Sequence, residues 1–194
     1  MHNILRNSKQ SKAKYLKKKN NMKKIVLIVV LFLMSFLSNA QTALDKFDGQ
    51  STVSSVIVNK KMFELMSKVK MESKEDLAYL NLIKKLENLK VYKTSSAKTT
   101  SDMRSTVDKY LTTAGLEELM RVNESGKNAK IYVKSGAGST QVKELLMFIE
   151  GTGVKGSETV LMSLTGDFDL NEISLLTKRM NLPGGEVLNS AAKK

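Results

Sequence analysis

The fold is decided by residues 115–164, which read GLEELMRVNESGKNAKIYVKSGAGSTQVKELLMFIEGTGVKGSETVLMSL. Four β-like runs lie in this stretch, at residues 119–123, 130–134, 142–149 and 159–164. The segments between them are rich in Gly, Ser and Asn, which is the composition of turns. Runs at this spacing predict a four-stranded antiparallel meander.

Upstream of the meander, apolar residues recur at spacings of three and four, which is the period of an amphipathic helix. The pattern predicts three helices: one over residues 60–70, one that starts after Ser73, and one from Asp102 to Gly115. Residues 53–58 and 89–94 read as strands, and residues 95–101 as a Ser/Thr-rich loop. The residues predicted to face the core are Met62, Leu65, Met66 and Val69, then Leu77, Leu80, Ile83 and Leu86, then Met103, Val107, Tyr110, Leu111 and Ala114.

A last helix follows the meander. Asp167 or Asp169 is a suitable N-terminal cap, and Leu170, Ile173, Leu176 and Met180 share the buried stripe. Pro183, followed by two glycines, ends this helix. Helices mainly first and a meander later predict an α+β domain, with amphipathic helices packed on one face of a mostly antiparallel sheet.

The front of the chain has the pattern of a secretory signal peptide. Residues 1–24 carry nine basic residues and no acid, residues 25–37 are apolar, and Ser38-Asn39-Ala40 provides small residues at a cleavage site. The apolar run is shorter than the roughly 20 residues of a membrane-spanning helix. We therefore expect signal-peptidase cleavage between Ala40 and Gln41, and export to the periplasm or the exterior.

This leader sets the predicted domain boundaries. Met22 begins a conventional leader, so we interpret residues 1–21 as a non-native or over-called extension and residues 22–40 as the signal peptide. A loose lead (41–52), a single α+β domain (53–182) and a tail (183–194) follow. The alternative is one long basic leader that starts at Met1.

Charge and cysteine content limit the partners of the mature chain. Without the nine leader charges, 23 basic residues face 19 acidic ones, so the formal charge falls from +13 to +4. Such a balance gives no support for nucleic-acid binding. The chain has no cysteine, so it has no disulfide and no lipid-anchoring cysteine at the cleavage site.

The residue content also limits the chemistry. The one histidine, His2, lies in the leader, so Ser-His-Asp and Cys-His catalysis and His/Cys zinc sites are excluded in the mature chain. The sequence assigns no catalytic, cofactor-binding or metal-binding residue, and it implies no cofactor.

Three patterns resemble functional motifs, but each has a better structural interpretation. Residues 151–157, GTGVKGS, have Ser157 directly after Gly156, where a phosphate-binding loop needs lysine, and they read as a hairpin turn. The cluster of Asp167, Asp169 and Asn171 lacks the later Gly and Glu of an EF-hand, and reads as a helix cap. The group of Met62, Met66 and Met71 could suggest copper ligation, but methionine as core filler is the better interpretation.

Four segments resemble one family: VSSVIVNKKMFELM, LENLKVYKTSS, ELMRVNESGKNAKIYVK and VLMSLTGDFDLNEIS. Together they are similar to the small exported Gram-negative proteins designated domain of unknown function 4252, over about residues 50–180. The resemblance implies an uncharacterised exported protein and carries over no site residue. Many members look like lipoproteins, and this chain departs from them by lacking the lipobox cysteine.

We therefore expect a non-enzymatic binding module of the bacterial cell envelope, whose partner is an envelope protein or ligand and not a nucleic acid. Membrane contact is expected only through the signal peptide before cleavage. The alternatives are a small-molecule or lipid carrier, which needs an apolar cavity, and a hydrolase that uses two carboxylates. An exposed apolar patch or an unpaired sheet edge would favour the binding module.

Overall fold

A single antiparallel sheet organises the chain. The computed structural model describes residues 41–70, 73–124, 127–151 and 158–191. Within them, six strands join in the order β1-β2-β6-β5-β4-β3. The strands are β1 (Ser54–Asn59), β2 (Leu86–Thr94), β3 (Glu117–Glu124), β4 (Lys127–Ser135), β5 (Gln141–Gly151) and β6 (Thr159–Asp169). The helices are α1 (Lys60–Met66), α2 (Lys74–Ile83), α3 (Ala97–Ala114), α4 (Ile173–Met180) and α5 (Gly185–Ala191), with 3-10 turns at Gln41–Phe47 and Leu170–Glu172.

The predicted meander and the α+β class are confirmed. Strands β3 to β6 pair consecutively and antiparallel, and β2 then joins the free side of β6. At the β4–β5 turn the Gly136 N–H donates to the Gln141 carbonyl at 2.7 Å. The β5–β6 pairing agrees with a hairpin at GTGVKGS, although residues 152–157 lie outside the described part of the chain.

Both faces of the sheet are buried at its centre. Alternate residues of β5 divide between two layers, with Leu145 and Met147 on one face and Leu146 and Phe148 on the other. The first face packs against α1, α2, α4 and α5 in one core cluster. Its helix contributions include Phe63, Leu80, Ile83, Leu176 and Leu188.

Helix α3 covers the opposite face, whereas the sequence predicted helices on one face only. The Tyr110 hydroxyl on α3 donates to Glu144 on β5, and Arg104 pairs with Glu150. Both acids belong to the face of β5 that points away from Leu145. The physical reason is that β5 and β6 are almost continuously apolar, and a strand of that kind requires cover on both sides.

Local capping explains where the helices begin and end. Ser73 caps α2 as predicted, since its hydroxyl accepts the Asp76 N–H at 3.1 Å. Helix α3 begins at Ala97 and not at Asp102, because Ser96 caps it by accepting the Thr99 N–H at 3.3 Å. Gly115 ends α3 in the left-handed conformation, with φ at 66°.

The two ends of the described chain are more ordered than the sequence predicted. The lead at residues 41–52 includes a 3-10 turn whose Leu44 and Phe47 are buried. The tail includes α5, which inserts Leu188 into the core. Each segment has too few apolar residues to give a periodic signal, and each is held by one or two large side chains.

Two ion pairs link α2 to α4. Lys178 lies 3.2 Å from Glu75, and Arg179 pairs with Asp76 while its guanidinium lies over the Tyr79 ring. None of the helices in the described residues has both the length and the apolar character that crossing a bilayer requires.

Candidate functional site: an exposed apolar surface at the β1 edge

Helix α1 turns a different face to the core than its sequence predicted. Phe63 is its buried residue, and Met66 is partly buried against the core. Met62 and Leu65 remain exposed, and so does Val69 beyond the helix end. The helix is only two turns long, and burying the large Phe63 ring rotates the predicted stripe outward.

The exposed residues adjoin a second group on the neighbouring strand. Val56 and Ile57 of β1 point to opposite faces of the sheet, and both are exposed. We name as the edge surface the five residues Val56, Ile57, Met62, Leu65 and Val69, which are 43–54% exposed. The helix follows β1 directly and contacts it. Five of the seven large apolar side chains that are exposed in the described residues therefore fall within 14 positions of the chain.

The two edges of the sheet differ in character. Strand β1 reads SSVIVN, has no charged residue, and pairs with β2 without a bulge. Strand β3 reads EELMRVNE and has a register shift between Glu118 and Met120. Charges and bulges are the usual means by which proteins block an edge strand. Edge β3 therefore carries features that block pairing, whereas β1 lacks them and has no strand beyond it among the described residues.

Exposed lysines flank the apolar residues of the edge surface along the chain. Residues 54–70 contain Lys60, Lys61, Lys68 and Lys70 against the single acid Glu64, which gives a net charge of +3. The whole chain after Ala40 has a net charge of +4, so this short segment carries most of the excess. An apolar surface flanked by lysines favours a partner with acidic groups around an apolar contact.

The other chemical feature is a buried carboxylate beneath α3. Glu144 accepts a hydrogen bond from the Tyr110 hydroxyl at 2.6 Å and another from the Ser163 hydroxyl at 3.3 Å. Burial raises the pKa of the Glu144 carboxyl, against the opposing influence of these hydrogen bonds and of the charges on Lys134 and Lys90. Burial, together with the adjacent Glu144 charge, also raises the pKa of the Tyr110 hydroxyl.

The hydrogen bonds of this cluster join α3 to β5 and β5 to β6. Glu144 is the one buried carboxylate among the described residues, and hydrolysis of a glycoside requires two acids in one cleft. The described part of the chain also contains no group of three or more His, Cys, Asp or Glu side chains that could hold a metal ion. The sequence gives only a weak signal for this site, since Glu144 follows Lys143 directly before the apolar run of residues 145–149.

The acids near the end of β6 form a helix cap, as predicted. Asp169 accepts the Asn171 N–H at 2.8 Å, and its capping box is completed by Glu172. The Thr140 hydroxyl also donates to Asp169 at 2.7 Å, and this bond is the main cause that lowers the pKa of that carboxyl. Asp167 instead pairs with Lys143 at 2.9 Å.

Two further predictions involve residues outside the described part of the chain. Met71 lies outside the described residues. Of the other two methionines, Met62 is exposed on the outer side of α1, and Met66 is partly buried on its inner side. Ala40 lies outside as well, while Gln41 begins the first 3-10 turn. Cleavage at this position therefore stays a prediction.

Comparison with known proteins gives a family but no activity. Searches of curated proteins and of solved structures found no match. One family profile, described as domain of unknown function (DUF4252), matches residues 47–176. The match runs from the end of the first 3-10 turn to the first half of α4, includes the edge surface and Glu144, and confirms the resemblance seen in the sequence. This chain belongs to the DUF4252 family.

Proposed function

We propose that this protein is an exported, non-enzymatic binding module of the bacterial cell envelope, which contacts an acidic envelope component through α1. The observation that carries the proposal is the exposure of Met62 and Leu65 on the outer side of a helix whose own core contact is Phe63. Exposed apolar groups that follow one another along a helix mark contact surfaces in soluble domains.

Helix geometry supports a single contact stripe. Met62 is three residues from Leu65 and four from Met66, so the three side chains lie along one side of α1. Met66 reaches the core, while the other two continue the stripe outward. Methionine side chains are flexible and polarisable, which suits a surface that adapts to its partner.

The charges support an acidic partner. The lysines at positions 60, 61, 68 and 70 flank the stripe, and the ion pair of Lys61 with Glu64 is long, at 3.5 Å, and exposed. Exposed ion pairs of this kind contribute little to stability, so their charges remain available for a partner. Association with an acidic partner should therefore weaken as salt is raised.

The leader supports location in the envelope. A basic segment, an apolar segment and a small-residue cleavage site precede Gln41. The intact mass of protein from fractionated native cells tests this part. A mass that begins at Gln41 in a soluble periplasmic or culture fraction supports export, and a full-length mass in the membrane fraction contradicts it.

A binding experiment tests the contact surface. Purified protein is incubated with isolated cell envelopes, and the sedimenting fraction is measured over a salt series. We expect the double variant Met62→Asp with Leu65→Asp to lose about tenfold in affinity, because it removes the apolar stripe and reverses the local charge. Leu119→Asp is the matched control, since Leu119 is similarly exposed, at 40%, on the opposite edge. Equal sedimentation of all three proteins would contradict the proposed function.

A further inference from the structure

We propose that β1 pairs with β1 of a second copy of this chain, so that two sheets join as one across a two-fold axis centred on Ile57. This pairing goes beyond the proposed function, which uses Met62 and Leu65 of α1 and an envelope partner. Three features of β1 support it: an open edge, a self-complementary sequence and a suitable placement of charge.

The open edge provides the hydrogen-bonding capacity. Strand β1 is the last strand on its side of the sheet, and its one partner in the described residues is β2. The register with β2 is continuous from Ser54 to Asn59, so the strand is regular along its whole length. A regular edge strand presents a row of free N–H and C=O groups that can pair with another strand.

The sequence of β1 complements itself in one register. Residues that pair across antiparallel strands point to the same face of the sheet. When Ile57 pairs with Ile57 of the second copy, Val56 meets Val58 and Ser55 meets Asn59. Apolar residues then meet apolar residues and polar residues meet polar ones. A shift of one residue would place Val56 opposite Ile57, and these belong to different faces.

No like charges meet within the paired strands, since Lys60 of each copy would lie opposite Ser54 of the other. The six residues of β1 are uncharged, and the nearest lysine in the chain, Lys60, lies in α1 beyond the end of the strand. The other edge provides the contrast, because β3 carries three glutamates and Arg121. An isologous contact also uses the same patch twice, so one open edge per chain produces a closed dimer and not a fibre.

The experiment uses charge exchange at the two-fold axis. The full chain is expressed, soluble protein is purified, and its molar mass is measured by light scattering after size-exclusion chromatography. We expect a dimer for the unchanged protein. Ile57→Lys and Ile57→Glu should each weaken the dimer by at least about tenfold, because two like charges would meet at the axis. An equimolar mixture of the two variants should restore the dimer, because unlike charges then meet.

Controls separate this pairing from unfolding and from envelope binding. Leu119→Lys, on the protected edge, should remain a dimer, and circular dichroism should be the same for all variants. Met62→Asp with Leu65→Asp should also remain a dimer, so failure of one proposal does not imply failure of the other. A monomeric unchanged protein, dimeric single Ile57 variants, or a mixture that stays monomeric would each overturn the pairing.

Discussion

The Tyr110 hydroxyl lies 2.6 Å from the Glu144 carboxylate, and this hydrogen bond joins α3 to the second face of the sheet. Both side chains are buried. A buried carboxylate that loses a donor is left partly unsatisfied, which costs more than the bond itself contributes. The pair therefore anchors α3 to a face of its own, whereas the sequence predicted all helices on one face.

Deleting this hydroxyl should destabilise the domain. We expect Tyr110→Phe to lower the free energy of unfolding by about 1.5–3 kcal/mol, because it removes the closest donor to Glu144. Urea unfolding followed by circular dichroism measures the change. Tyr79→Phe is the comparison, since the Arg179 guanidinium lies over the Tyr79 ring and this contact survives loss of the hydroxyl. A loss for Tyr110→Phe no larger than that for Tyr79→Phe would contradict the role of the hydrogen bond.

The same carboxylate should make stability depend on pH. Burial raises the pKa of folded Glu144 above its ordinary value of 4.5, so the folded protein binds this proton more tightly than the unfolded chain. The stabilisation from Glu144 is therefore complete below pH 4.5 and is lost as pH rises through the folded pKa. Over this pH interval, we expect the free energy of unfolding of the unchanged protein to fall relative to that of Glu144→Gln. A difference that stays constant with pH would show that the Glu144 pKa is the same in both states.

The two faces of α1 should respond differently to truncation. Phe63→Ala should cost about 3–5 kcal/mol, because it leaves a cavity in the core, whereas Met62→Ala should cost less than about 0.5 kcal/mol. Thermal and urea unfolding of the two variants measure these changes. Comparable losses would mean that Met62 is buried, as the sequence pattern first predicted.

Alanine substitutions at two glycines distinguish the cost of backbone strain from the cost of a steric clash. Gly115 has φ at 66°, and a Cβ there would meet no other described atom within 4 Å, so Gly115→Ala should cost about 1–2 kcal/mol through backbone strain alone. Gly166 has φ at 156°, and a Cβ there would contact the Lys85 carbonyl and lie 2.9 Å from Leu86 Cα. Gly166→Ala should therefore cost more, about 2–4 kcal/mol, in the same unfolding measurement. Equal costs would exclude a steric contribution at Gly166.

The sequence predicted the positions of the strands and helices better than it predicted which side of each one is buried. Turn chemistry and alternation identified β3 to β6, and Ser73, Gly115 and Asp169 act as helix caps in the structure. Local signals of this kind depend on neighbouring residues, which a sequence displays directly. Asp102 failed as the start of α3 because Ser96 offers an earlier cap.

The candidate site could not be predicted because it depends on tertiary packing. Met62, Leu65 and Val69 have the spacing of a buried stripe, and only the insertion of Phe63 into the core turns them outward. Leu77 is similar: it was expected to be buried and is exposed, while Tyr79 and Leu82 of the same helix are buried instead. Periodicity gives the width of an apolar face but not which part of it reaches the core.

Crosslinking in living cells shows directly whether α1 contacts a partner in the cell envelope. A photoreactive amino acid replaces Leu65 in one strain and Leu119 in another, and the crosslinked products are resolved by mass. We expect a discrete product with an envelope component from position 65 and none from position 119. No product from position 65, or the same products from both positions, would mean that α1 is not the contact surface.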